Sequence, residues 1–531
     1  MQVNPSSKTT VIKKETDTSA QFEKESCYLK KVQPIYDFFA RRKLKRNPSF
    51  RITLRELCER IDLPMSSYSE LSTSVLECIV MEICQAGTRM VNGSVCVQMY
   101  GDTDEKMEWA VKHGAIAVVT SHKISGVPSI VVPEPQRIYA KMCGIYRALS
   151  NISVTAIIGS IGKTTTKKMV NSVYDSIYNT FCDAGNENLL FNAGYHCQHI
   201  PSKAEVWVQE VSEDTPGYAQ LISEMISPRI VIITAIDKSH IGNFDSEEGI
   251  VREVCSITKG MPFDGVVIIN KDEFHAYHLI EGYKVISVSE SNKEADYYIE
   301  DLTLTNEGIV FRVVVKSDHS IHNVFMRDVY ARHNAVSALY AFACGCVSGI
   351  PYEKIIKGIE KYRAVGIRQN VYRTFLSHNI VYADCYNAVA KSVRAAVETC
   401  SQIALSGKKR VAVLGDIEES GNYSKEIHDE ICDIINKSTF SVVLFYGEKL
   451  ISSARQFRFR NDLTVHYCSS HNEIYDNLHN LVCRGDLILF KSSRKSQLET
   501  CIKRMWPLSY FYENALAKLP YILWRIRVII N

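Results

Sequence analysis

No CxxC pair, no repeated metal-ligand spacing and no apolar stretch of the ~18 residues needed to span a bilayer occurs in this chain of 531 residues. The first two absences argue against a zinc module or a disulfide framework. The 17 cysteines are scattered through apparent strands and helices, which fits reduced, mostly buried thiols. The third argues against a transmembrane helix. Charge of one sign is also missing: a net charge of +3 is too small to make nucleic acid or a membrane the main partner. Its one dense basic run, Arg41 to Arg46, reads as a solvated helix end. The stretch from Met1 to Lys24 is polar, without the apolar centre of a signal peptide, and the expectation is a cytoplasmic protein. The apolar segment Leu519 to Ile530 carries two arginines; it reads as an element closing the last domain, with peripheral membrane contact as the alternative.

What is present is an ordinary soluble composition, with 46% hydrophobic and 23% charged residues. The length suggests about three domains at ~150 residues each. Residues 1–80 read as a disordered, polar N-terminus followed by a helical preface, in which Thr53 and Glu56 have the spacing of a capping box. Short β-like runs at Val95 to Met99, Ile116 to Val119 and Ile130 to Val132, with a helical stretch from Glu105 to His113, predict a small α/β domain over 81–150. A central α/β domain with a mostly parallel sheet is expected over 151–345, with strands at Val206 to Val211, Ile230 to Thr234 and Val266 to Asn270. A third, Rossmann-like domain is expected over 346–531, with strands at Ile380 to Ala383, Arg410 to Leu414, Val442 to Tyr446 and Leu487 to Phe490.

The central domain opens on Val154 to Thr166, an apolar strand running into Gly159-Ser160-Ile161-Gly162-Lys163-Thr164 and a helix. Glycines at 159 and 162 let backbone N–H groups turn inward around phosphate oxygens, and the helix aims its positive end at them. Lys163 then suits the terminal phosphates and the Thr164 hydroxyl suits Mg²⁺. Ile157 stands where the common Gly-x-x-x-x-Gly-Lys-Thr pattern has its first glycine, so the strand-loop-helix context carries this reading. Ligands of open α/β sheets bind beyond the carboxyl ends of strands, which adds Glu210 and His240 as candidate Mg²⁺ and phosphoryl ligands. On the third domain the same rule selects Asp384, Asp416 and Lys491, with a turn or cap role open for both aspartates.

The order of these pieces resembles the Mur ligases. It begins with Gly159 to Lys167 and continues with Glu210 before Pro216-Gly217, then His240, Phe244 and Ser246, and His333-Asn334. Asp384, Tyr386, Asn387 and Ala388 follow, then Leu414-Gly415-Asp416 and Lys491, Ser493 and Arg494; in the first domain Gly114 to Val119 fits as well. The resemblance covers about residues 80 to 505 and is nearest the members that add D-alanyl-D-alanine to a UDP-muramoyl tripeptide. It implies an α/β fold of three domains, a central phosphate-loop ATPase domain with a parallel sheet and a C-terminal Rossmann-like domain. It also implies an ATP- and Mg²⁺-dependent amide ligase of peptidoglycan precursor synthesis, working through an acyl phosphate on a UDP-sugar peptide and a dipeptide.

Carried over by motif, Gly159, Ser160, Gly162, Lys163, Thr164 and Thr165 would hold the phosphates, with Asn334, Arg368 and Asp384 as further nucleotide-binding residues. Thr164, Glu210 and His240 would be metal ligands, with Lys163, Glu210 and His240 catalytic. Tyr386, Asn387, Lys491 and Arg494 would face substrate on the closing third domain.

Four places depart from the family pattern. Val254 stands at the position of a lysine that becomes carbamylated to bind a second metal, and Ser212 replaces a glycine. Val389-Ala390 replaces an Asn-Pro pair, and Gly87-Thr88-Arg89 replaces Asp-Ser-Arg. Three readings follow: the dipeptide-adding ligase, a related ligase for another carboxylate and amine, and an ATP-binding scaffold of weak activity.

Overall fold

The computed structural model describes residues 51–512, except 89, 184–186, 237–242, 245, 306, 365–368, 387, 404, 406–407 and 419–423. The basic run at 41–46, the polar N-terminus and the apolar segment at 519–530 lie outside the described residues. The helical preface begins with helix Leu54–Arg60, whose first turn is capped by Thr53 Oγ1 accepting from the Glu56 N–H at 3.2 Å. The expected capping box is only half of one: Glu56 accepts from Arg60 Nη2 at 2.6 Å instead.

The first sheet contains β1 (Glu82–Gln85), β2 (Ser94–Val97), β3 (Ala115–Thr120) and β4 (Ser129–Val131), parallel and in sequence order. Helix Asp104–Lys112 joins β2 to β3. Strand β1 is not expected from sequence, because a four-residue run ending in polar groups carries no visible alternation.

The second sheet has β5 (Ser153–Ile158), β6 (Thr180–Cys182), β7 (Val206–Glu210), β8 (Ile230–Ile233), β9 (Val266–Asn270), β10 (Lys284–Ser289), β11 (Tyr297–Thr305), β12 (Gly308–Val315) and β13 (Ile321–Arg327). Its spatial order is β13-β12-β11-β10-β9-β8-β5-β7-β6. Pairing is parallel from β6 through β11 and antiparallel at β11–β12 and β12–β13, so the mostly parallel sheet gains an antiparallel extension. Strands β7, β8 and β9 are buried along their whole length, as expected of parallel strands covered on both faces. Helices Lys163–Tyr174, His333–Val347 and Tyr352–Glu360 cover one face, and helices Pro135–Ala148, Leu190–Gln198 and Tyr218–Ile226 the other. The second of these cores continues into the first sheet through Ile83, Val95 and Val97. Gln198 ties the two sheets: its Oε1 accepts from Ile83 N–H at 2.7 Å, and its Nε2 donates to Ile83 O at 2.9 Å.

The third sheet has β14 (Asn370–Arg373), β15 (Ile380–Asp384), β16 (Arg410–Gly415), β17 (Val442–Tyr446), β18 (Thr464–Cys468) and β19 (Leu487–Lys491), in the order β14-β15-β19-β16-β17-β18. All pairs are parallel except the edge pair β14–β15. This is the Rossmann-like arrangement expected for the C-terminal part of the chain.

Candidate functional site

Strand β5 lies between β7 and β8: the chain runs from it to β6 beyond β7, returns to β7, and then crosses to β8 on the other side. That reversal opens a crevice at its carboxyl end, the place where α/β sheets take ligands. The residues after Ile158 are shaped for it. Gly159 has φ +130°, and a Cβ there would lie 2.4 Å from Thr234 Oγ1, so both backbone conformation and space require glycine. Ser160 N–H donates to Ala235 O at 2.8 Å, which anchors the loop to the segment after β8. Gly162, at φ +89°, turns the chain into helix Lys163–Tyr174, whose N-terminus has no side-chain cap. Its first amides therefore point toward the loop, as anion-binding helix starts do.

Lys163 and Thr164 open this helix and meet the end of β7. Lys163 Nζ contacts Gly159 O and donates to both oxygens of Glu213, at 2.8 and 3.1 Å. Thr164 Oγ1 donates to Glu210 Oε2 at 3.0 Å. The β5–β7 register, with Ile157 opposite Glu210, sets that carboxylate beside the loop. Asn188 Nδ2 donates to the other oxygen of Glu210 at 3.2 Å.

Beneath them, one turn along the helix, Lys167 Nζ contacts Asp183 and lies 3.1 Å from Glu210 Oε2, with all three side chains buried. Burial raises the Glu210 carboxyl, but Lys167 and then Lys163, with bonds from Lys167 and Thr164, outweigh it and hold the group below the usual range. For Asp183 burial wins over Lys167 and its affinity for a proton is raised. Sequence reasoning missed Asp183, Asn188 and Glu213 as members of this site. For Glu213, three residues beyond Glu210, the strand-end rule was the available signal.

A threonine hydroxyl and an ionised glutamate are the hard oxygen donors that Mg²⁺ takes while keeping water and phosphate oxygens as its other ligands. No group of three or more His, Cys, Asp or Glu arranged to hold a metal occurs among the described residues. The donor set here therefore suits a cation that arrives with phosphate. His240 lies outside the described residues. Val254 is wholly buried in the apolar core and has no donor atom. Its neighbour Glu253 is committed elsewhere, accepting from Gly217 N–H at 2.7 Å and Ala219 N–H at 2.8 Å at the start of helix Tyr218–Ile226.

Across helix Lys163–Tyr174, Thr166 Oγ1 donates to Ser337 Oγ at 3.2 Å, joining it to helix His333–Val347. Asn334 is buried near the start of the latter, and its Oδ1 has no hydrogen-bond partner, which leaves an acceptor open for a ligand's N–H. Thr165 lies near Tyr362, whose hydroxyl burial pushes up to about 12 against the bond from Thr165. Arg368 and Asn387 lie outside the described residues.

On the third sheet, Asp384 and Lys491 are register partners in β15 and β19 and form a buried ion pair of 2.9 Å. Arg494 lies over the Tyr386 ring, 5.2 Å from its centroid. Asp416 resolves as a cap: its carboxylate accepts from Leu450 N–H at 2.8 Å at the start of helix Glu448–Gln456. The cysteines among the described residues are free thiols, mostly buried. No helix among those residues is long and apolar enough to cross a membrane.

Comparison with known proteins agrees with this geometry. The Mur ligase middle domain matches residues 157–345, and the Mur ligase glutamate ligase domain matches residues 368–494. The UDP-N-acetylmuramoyl-tripeptide--D-alanyl-D-alanine ligase of Bacillus subtilis is 29% identical over 406 residues, 75% of this chain and 86% of its own. The Escherichia coli enzyme of the same name is 23% identical over 440 residues, 80% of this chain and 94% of its own. In three dimensions the chain is similar to MurF from Acinetobacter baumannii, with a TM-score of 0.70 at 20% identity, covering 87% of this chain and 99% of that one. MurF ligase from Thermotoga maritima, solved in complex with ADP, superposes with a TM-score of 0.68 at 18% identity, covering 81% and 97% of the two chains. Two adjoining family domains spanning more than half of the chain, laid over a phosphate loop at the sheet's switch point, show that this protein belongs to the Mur ligase family of ATP-dependent amide ligases.

Proposed function

We propose that this chain joins D-alanyl-D-alanine to a UDP-N-acetylmuramoyl tripeptide, at the expense of ATP, in cytoplasmic synthesis of peptidoglycan precursors. One observation carries the reading. Lys163, Thr164 and Glu210 converge at the switch point of the central sheet, in a chain that aligns with 86% of the length of a relative bearing that name.

In this reading the amides of Gly159 and Gly162, with the Ser160 hydroxyl and Thr165, cradle the phosphates, and Lys163 neutralises the terminal one. Thr164 and Glu210 hold Mg²⁺, joined by His240. Asn334 Oδ1 accepts from the nucleotide and Arg368 contacts it. Bound ATP supplies the phosphoryl group that converts the acceptor carboxylate into an acyl phosphate open to attack by an amine. The chain's own contribution is positioning, charge neutralisation and exclusion of water. Asp384 and Lys491 form the floor of the third domain's facing rim, where Tyr386, Asn387 and Arg494 meet substrate.

A second reading, a ligase for another carboxylate and amine, is favoured by the first domain. Gly87 has no side chain to offer and only open space around its Cβ position, and Thr88 Oγ1 is turned back onto Gln85 O at 2.9 Å. The test supplies purified protein with ATP, UDP-muramoyl tripeptide and D-alanyl-D-alanine, together and singly. Phosphate release that requires both acceptor and amine supports the first reading. Release only with a different pair supports the second, and none with any pair while ATP stays bound supports the scaffold.

A further inference from the structure

Glu213 is a buried carboxylate, 1% exposed in its side chain, on a Lys163 that is itself only 13% exposed. The two residues before it are anchored: Val211 N–H donates to Ile157 O at 2.8 Å, and Ser212 N–H donates to Asn188 O at 3.0 Å. The carboxylate is therefore held at the mouth of the loop. If the Gly159 to Thr164 loop is the ATP site, on which this step rests, the terminal phosphate and Glu213 compete for one ammonium. A phosphate within hydrogen-bond reach of Lys163 Nζ brings a second anion up to a carboxylate that cannot withdraw into water, and an uncompensated buried charge is strongly unfavourable. Lys167 offers no relief, because it is engaged with Asp183 and Glu210. A divalent cation does: one hard ion can take an oxygen from the carboxylate and oxygens from the phosphates together. Val254 gives that ion nothing and Glu253 is tied to two backbone amides, whereas Glu213 supplies an anionic oxygen at the phosphate end.

We infer that Glu213 makes nucleotide binding depend on Mg²⁺: it occupies Lys163 until phosphate arrives, then becomes an oxygen ligand of the cation at the terminal phosphates. Glu213 is thereby a metal-binding residue additional to Thr164 and Glu210.

Calorimetric titration of the full chain with ATP, in EDTA and in excess Mg²⁺, tests this without any turnover. In the wild-type protein Mg²⁺ should tighten ATP binding by a large factor. Glu213→Gln and Glu213→Ala remove the charge in two ways, and thermal melts identify the folded variant to be read. Either should bind ATP more tightly in EDTA, by about tenfold, within the ~5–150-fold typical of coupled sites, and the gain on adding Mg²⁺ should shrink accordingly. An unchanged gain in a folded variant would overturn the inference, as would a wild-type protein indifferent to Mg²⁺. Lys163→Ala in the same titrations separates the two levels. If it leaves ATP affinity intact, the loop reading itself fails; if it abolishes binding while the Glu213 variants match wild type, only the role of Glu213 fails.

Discussion

Lys167 Nζ lies 3.1 Å from Glu210 Oε2, and both side chains are almost completely buried, with Asp183 against the same ammonium. This lysine supports the carboxylate that faces the loop, one helical turn after Lys163. Lys167→Met should strand two acidic groups in the core and cost about 3–5 kcal/mol of stability, measured as a fall in the denaturant midpoint. ATP affinity should fall with it.

Glu210 should leave a signature in pH. Its folded-state proton affinity is lowered, so its ionisation contributes stability that is present above the unfolded value of about 4.3 and is lost as pH falls through the lower folded value. Thermal unfolding of Glu210→Gln against wild type should show its largest deficit near pH 7 and a narrowing gap below about pH 4. A gap that is constant over that window would mean that Glu210 ionises as freely in the folded protein as in the unfolded one.

Gly159→Ala should damage both the fold and the loop. The new Cβ would meet Thr234 Oγ1 at 2.4 Å and Thr234 O at 3.0 Å, at a φ of +130°. Strain of this kind costs of the order of 1–3 kcal/mol, visible as a lowered melting temperature together with weaker ATP binding by calorimetry.

In the third domain, Asp384→Ala would leave Lys491 buried beside an empty carboxylate site. A loss of about 3–5 kcal/mol is expected for breaking such a pair from one side. Replacing both, Asp384→Ala with Lys491→Met, should recover part of it, which a double-mutant cycle of unfolding free energies would report.

Gln198→Leu should loosen the tie between the first and second sheets. It removes a donor and an acceptor from Ile83, at 2.9 and 2.7 Å, and each buried backbone group left without a partner costs about 1–3 kcal/mol. Faster hydrogen exchange at the Ile83 amide would locate the effect.

Much of this was legible in the sequence where chemistry and position coincide. Val206 to Glu210, Ile230 to Ile233 and Val266 to Asn270 are short apolar runs with polar flanks, and buried parallel strands leave that trace. The loop at Gly159 was readable because its glycines precede Lys163 and Thr164. The antiparallel strands β11 to β13 were not readable, since Glu300, Asp301 and a bulge before Thr303 interrupt the pattern at the open end of the sheet. Glu213 was within reach of the strand-end rule, three residues past Glu210, but in Ser-Glu-Asp-Thr it reads as a loop residue, and its pairing with Lys163 comes from the fold. Asp384 and Lys491 were each legible as strand ends, but their pairing depends on the insertion of β19 beside β15.

The most direct measurement is mass spectrometry of the product formed with ATP, Mg²⁺, UDP-muramoyl tripeptide and D-alanyl-D-alanine, read alongside phosphate release. The ligase reading requires a new amide joining tripeptide to dipeptide, one phosphate released for each bond, and loss of both signals in Lys163→Ala. Phosphate release without a joined product, or a joined product that persists in Lys163→Ala, would contradict it.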